Sequence, residues 1–188
     1  MVTKTRVSLE EFLAMPETEP PSELIDGEVV QKISPNFYHG TLTSELITQF
    51  KIYLRQTREG VVVNEVRHVV RAEERVFLPD INVTLAGRIP KDRASRLQGP
   101  LALTPDFAIE VISPGDNPGR LFERADFYMR TGTSLLWFVD PETESITVYR
   151  PGQAPTIHRA GDTIDAHPVL RDFHLDVAGL FATLHEGE

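Results

Sequence analysis

The sequence predicts an α/β fold on a single domain spanning residues 1–188, and three observations carry that prediction. A chain of 188 residues that is 40% hydrophobic and 25% charged can bury roughly 70% of its unfolded surface in one core. Helical periodicity alternates along it with short runs rich in Val, Ile and Phe that end in turn residues. No internal repeat or low-complexity tract divides it.

The elements follow in order. Ser8 with Glu11 three residues on reads as a capping box that opens a short helix, which Pro16 and the PETEPP stretch end. Glu23-Leu24-Ile25 and Val29-Val30 flank Asp26-Gly27, the pair suited to the positive φ angles of a tight hairpin turn. Leu42, Leu46, Phe50 and Tyr53 recur at three- and four-residue spacing, so a helix is expected over 36–57, with His39 on the same stripe. Strands are expected at Val61–Asn64, Val66–Arg71 and Phe77–Leu85, and after a basic loop at Pro105–Ser113. Asn117 and Pro118 suit the N-cap and first position of a helix reaching about Gly132. Leu135–Asp140 and Ser145–Arg150 read as two more strands, and the last 30 residues as short elements.

Composition removes several functions. There are no cysteines, which excludes disulfide frameworks, thiolate zinc sites and thiol nucleophiles, and the N-terminus lacks the apolar core of a signal peptide; a cytoplasmic setting is expected. The longest apolar run, Leu135 to Val139, is far short of the about 20 residues that cross a bilayer. The formal charge of −9 argues against a constitutive high-affinity nucleic-acid binder. The charge is uneven, however: six acids face one Arg over 161–188, whereas Arg88, Lys91, Arg93 and Arg96 face Asp92 alone. That basic segment is either a set of phosphate contacts for transient binding or a solvated loop.

One constellation could carry chemistry. Alternation puts Asp80, Asn82 and Thr84 on one strand face, and Asp106, Ala108, Glu110 and Ile112 on one face of the next. A carboxylate at Glu110, among hydrophobes, is costly unless paired, hydrogen-bonded or coordinated to a metal. On the following helix Leu121, Phe122, Ala125, Tyr128 and Met129 form an apolar arc, with Arg124 at its margin and able to reach back to the sheet.

The ordered set Glu23-Leu-Ile-Asp-Gly-Glu28, Ser34-Pro35, His39, Pro79-Asp80, Pro105-Asp-Phe-Ala-Ile-Glu-Val-Ile-Ser113-Pro114, then Tyr128 and Leu135-Leu-Trp-Phe-Val-Asp-Pro141, resembles the Uma family of restriction-endonuclease-like proteins, a branch of the PD-(D/E)xK nuclease superfamily. The resemblance implies a restriction-endonuclease-like core, a central mixed sheet flanked by helices, and metal-dependent hydrolysis of nucleic-acid phosphodiesters. It also implies that Asp80 and Glu110, with the Val111 carbonyl, hold Mg²⁺ or Mn²⁺, and that His39 orients a water or a phosphate. The superfamily lysine would fall at Ile112, but in similar branches it has moved to the next helix, four residues before the tyrosine, which is Arg124 here. Arginine keeps its proton, so it cannot be a general base, although it can stabilise a developing phosphorane. Glu28, Ser113 and Tyr128 are supporting positions, Ser113 more as a turn-former than as a nucleophile.

Nucleic acid, DNA first, is the expected partner, and cleavage of both strands would favour a symmetric homodimer. A metal-dependent hydrolase of a substrate other than nucleic acid is also open, and two further rivals stand beside this reading. One is a non-catalytic module for DNA binding or assembly in which Arg124 marks decay of the site. The other, for Asp80, Glu110 and Arg124 alone, is a buried ion-pair network.

Overall fold

A computed structural model of the chain describes residues 6–97 and 99–187. Helix α1 (Leu9–Ala14) opens on the expected capping box: the Ser8 side chain accepts from Glu11 N–H while the Glu11 carboxylate accepts from Ser8 N–H at 2.8 Å. Strands β1 (Ser22–Ile25) and β2 (Glu28–Gln31) form the hairpin, with Asp26 and Gly27 at φ +51° and +76°. Helix α2 (Phe37–Thr57) starts at Asn36, whose side chain accepts from His39 N–H, and buries Leu42, Leu46, Phe50 and Leu54 along one stripe. Next come β3 (Gly60–Asn64), β4 (His68–Val70), β5 (Arg75–Phe77), β6 (Ile81–Leu85), the short helix α3 (Arg93–Leu97) and β7 (Phe107–Val111). Helix α4 (Pro118–Arg130), capped by Asn117, leads to β8 (Leu135–Asp140), β9 (Ser145–Tyr149) and β10 (Thr156–His158). The chain continues through β11 (Thr163–Ala166), β12 (Leu170–Asp176) and α5 (Val177–Ala182).

The run expected as one strand over 77–85 is two strands in two different sheets. Pro79 has no N–H to give a ladder, and the break there separates β5 from β6 and sets Asp80 just ahead of β6 rather than within it.

The described residues form two compact units, between which the chain passes repeatedly. One comprises the described part of Met1–Ser34 with Glu65–Pro79 and Pro90–Thr104. It holds a four-stranded sheet of order β2-β1-β5-β4, with Leu9, Phe12, Leu24, Val69 and Val76 as its core. Within it Leu78 is held at both its polar backbone atoms: its N–H donates to buried Glu23 at 2.7 Å, and its carbonyl accepts from Lys32 Nζ at 2.8 Å.

The other unit comprises Pro35–Asn64, Asp80–Ile89 and Pro105–Glu188. Its six-stranded mixed sheet has the order β10-β9-β8-β7-β6-β3; β7 and β8 are parallel, joined through α4, and the other neighbours are antiparallel. On one face Phe107, Ile109, Val111, Leu135, Trp137 and Val139 pack with the α2 stripe and with the β11–β12 and α5 segment. Phe50 centres that layer, edge-on to Phe107 at 5.5 Å between centroids and stacked on Phe173 at 4.5 Å. Along α4 the buried residues are Ala125, Phe127 and Tyr128. Phe122, expected in the apolar arc, is 69% exposed, because the seat of the helix is centred on Tyr128 and not on its first turns.

Candidate active site

The β6–β7 register builds the site. Ile81 lies opposite Ile109 and Val83 opposite Phe107. Carried one residue outward, the same register sets Asp80 across from Glu110, where opposed Cα atoms stand about 4.5–5.5 Å apart. The Asp80 carboxylate takes the place of a ladder acceptor: its Oδ2 accepts the Val111 N–H at 2.8 Å. The same oxygen lies 3.1 Å from His39 Nε2, which arrives from the first turn of α2. Glu110 is met by α4. Its Oε1 accepts from the Tyr128 hydroxyl at 2.6 Å and from Arg124 Nη1 at 2.9 Å. Asp80 is thus met by donors from β7 and α2, and Glu110 by donors from α4.

Both acids are buried, at 4% exposure each, while His39 and Arg124 are only partly so. Burial penalises an ionised carboxylate unless donors replace its water, and these four donors do so. Helical spacing explains the double contact on Glu110: Arg124 and Tyr128 are four residues apart on one face of α4. Lysine at 124 would keep the charge but not the forked geometry of a guanidinium.

Of the residues expected at the site, His39 and the Val111 N–H meet Asp80, and Arg124 and Tyr128 meet Glu110. Arg88 meets neither. Its guanidinium donates to Asp106 at 2.7 Å, and Asp106 also accepts the Leu85 N–H, at the far end of the β6–β7 pair. Five strand residues separate that end from Asp80, about 17 Å. The expected basic border of the site is therefore corrected at Arg88, which closes a strand end. Lys91, Arg93 and Arg96 are exposed on and before α3, in the other compact unit, as is half-buried Glu28 on β2. Ser113 donates its N–H to Asp116 at 2.8 Å, the turn role expected of it.

The face shared by Asp80, Asn82 and Thr84 is buried, at 4%, 0% and 4% exposure. Asn82 is the residue that sequence reasoning passed over. It was visible as a polar residue between Ile81 and Val83, but nothing in the sequence marked it as enclosed. Among the described residues no group of three or more His, Cys, Asp or Glu side chains is gathered for a metal. Two carboxylates and a backbone carbonyl nevertheless fit the donor chemistry of magnesium, which is commonly held by one or two carboxylates with waters and substrate phosphate completing the shell.

A central mixed sheet flanked by helices is the architecture of a restriction-endonuclease-like protein. The chain belongs to the Uma2 family, described as "Putative restriction endonuclease", which it matches over residues 9–178. The crystal structure of a "putative nuclease belonging to DUF820" from Anabaena variabilis ATCC 29413 is similar over 95% of this chain and 99% of that one, at 28% identity and a TM-score of 0.85. A cryoEM structure of a DrdV–DNA complex matches over 78% of this chain and 14% of that one, at 10% identity and a TM-score of 0.31, a likeness too low to carry an argument. No curated protein matches.

Proposed function

We propose that this protein is an endonuclease that hydrolyses phosphodiester bonds of nucleic acid, DNA first, with Mg²⁺ or Mn²⁺ held by Asp80, Glu110 and the Val111 carbonyl. The observation that carries the proposal is the Asp80–Glu110 pair, set opposite each other by the β6–β7 register and each oriented by two donors. When bound, the divalent cation would polarise a phosphate oxygen and lower the pKa of a coordinated water.

The chain's own residues do the rest. Val111 N–H and His39 hold Asp80, and Tyr128 and Arg124 hold Glu110, so neither acid must reorganise as substrate arrives. Arg124 stays protonated, offers positive charge to the pentacovalent phosphate and moves no proton. His39, partly exposed beside Asp80, is assigned to orienting water or phosphate. Lys91, Arg93 and Arg96 are assigned to phosphate contacts, and a homodimer to cleavage of both strands.

A second reading has its own support. Arg124 stands where the resemblance expects lysine and is ion-paired to Glu110, as a decayed site kept for DNA binding or assembly would be. Incubation of supercoiled plasmid with Mg²⁺, Mn²⁺ or EDTA separates the two. Metal-dependent nicking supports the nuclease; DNA binding indifferent to EDTA, with no nicking, supports the decayed module.

A further inference from the structure

We infer that Asn82 is a positioning residue of this site, acting through an internal water that its carboxamide shares with Glu110; the inference rests on the proposed nuclease reading for its functional part. Asn82 is 0% exposed, and neither its Nδ2 nor its Oδ1 has a hydrogen-bond partner among the described residues. A buried primary amide bonded to nothing is a rare and costly arrangement, and a trapped water or a role at a site is its usual explanation.

The register says where that water belongs. Asn82 lies opposite Ala108, so its side chain projects to the sheet face that carries Glu110, two residues further along β7. Diagonal neighbours of this kind have Cα atoms about 7–8 Å apart, and since neither amide atom bonds a protein group among the described residues, the gap to the carboxylate is one that a water bridges. Ala108, opposite Asn82, offers only a methyl group on that face. The surroundings are polar enough to hold a water: Asn82 supplies a donor and an acceptor, and the Glu110 carboxylate accepts at several positions. An apolar residue at 82 would suit a plain core strand better, as Ile81 and Val83 on the opposite face illustrate. The water braces Glu110 from the β6 side, while Arg124 and Tyr128 brace it from α4.

A high-resolution crystal structure of the full chain tests the placement. An ordered water within about 2.7–3.2 Å of both the Asn82 amide and the Glu110 carboxylate is expected. A dry amide, or one bonded to a protein group instead, overturns the inference. Asn82→Val and Asn82→Ser, compared for Mn²⁺ affinity by calorimetry and for plasmid nicking, test the role. Asn82→Val should fold with unchanged or raised Tm, yet lose at least about 10-fold in Mn²⁺ affinity and in kcat, with KM within about 2-fold, as loss of a group that orients a metal ligand does. Asn82→Ser, which keeps a hydroxyl for the water, should recover most of that loss. Wild-type Mn²⁺ affinity in Asn82→Val overturns the positioning role. If wild type binds no Mn²⁺, the nuclease reading fails and the functional part of the inference with it, while the crystallographic water still decides the placement.

Discussion

The Tyr128 hydroxyl donates a 2.6 Å hydrogen bond to Glu110 Oε1, the same oxygen that Arg124 reaches at 2.9 Å. A bond from a phenol to a buried carboxylate is of the charge-assisted kind, worth about 1.5–3 kcal/mol. Tyr128→Phe should therefore lower the free energy of unfolding by about that amount in urea denaturation while preserving the ring's packing. Metal-dependent nicking should fall as well, because Glu110 then loses one of the donors that α4 supplies. Unchanged stability would show that the hydroxyl contributes nothing to holding the carboxylate.

Arg124 separates chemistry from scaffolding. Arg124→Ala leaves Glu110 short of a cationic partner at 6% side-chain exposure and should cost up to about 3 kcal/mol. Arg124→Lys keeps the cation and adds a group able to orient water, so nicking in Mn²⁺ should be preserved or raised, at a smaller stability cost. Background nicking by wild type and Arg124→Lys alike would favour the decayed module.

Gly60 begins β3 where that strand meets β6. A Cβ there would stand 2.4 Å from the Thr84 carbonyl oxygen, and backbone atoms cannot yield as a flexible side chain can. Gly60→Ala should destabilise the protein by about 1–3 kcal/mol, read as a lowered Tm. Gly87→Ala meets no atom within 4 Å and is the control.

Asp165 supplies a pH dependence away from the site. Burial pushes its carboxyl up, but the His167 N–H and the Arg150 guanidinium at 2.9 Å outweigh this and hold it below the ordinary value. A lowered folded-state pKa means that its contribution is fully present above the unfolded value of about 3.9 and is lost as pH falls through the folded one. Acid titration of stability should therefore be shallower in Asp165→Asn than in wild type over that range. Identical curves would place the acid sensitivity elsewhere.

Much of the fold was legible because local rules and tertiary structure agree. Ser8 with Glu11, Asp26-Gly27 and Asn117-Pro118 each mark a terminus or turn that forms as marked. Asp80 and Glu110 could be singled out because carboxylates beside Ile81 or between Ile109 and Val111 conflict with their surroundings. What could not be read depends on pairing. That β5 and β6 belong to different sheets, that Arg88 answers Asp106, and that Phe122 lies outside the seat of α4 all follow from which strand or helix lies next to which. Periodicity along one segment does not contain that information. Asn82 escaped notice for the same reason, since its enclosure comes from neighbours remote in sequence.

Supercoiled-plasmid nicking in Mn²⁺ by wild type and Asp80→Ala, each with and without EDTA, tests the central claim most directly. Asp80 is assigned as a direct metal ligand, and its loss should exceed the 10–100-fold typical of an outer partner, so nicking should fall by at least about 100-fold, and EDTA should abolish it in wild type. Nicking by wild type that survives EDTA, or persists undiminished in a folded Asp80→Ala protein, would contradict the Asp80–Glu110 metal site.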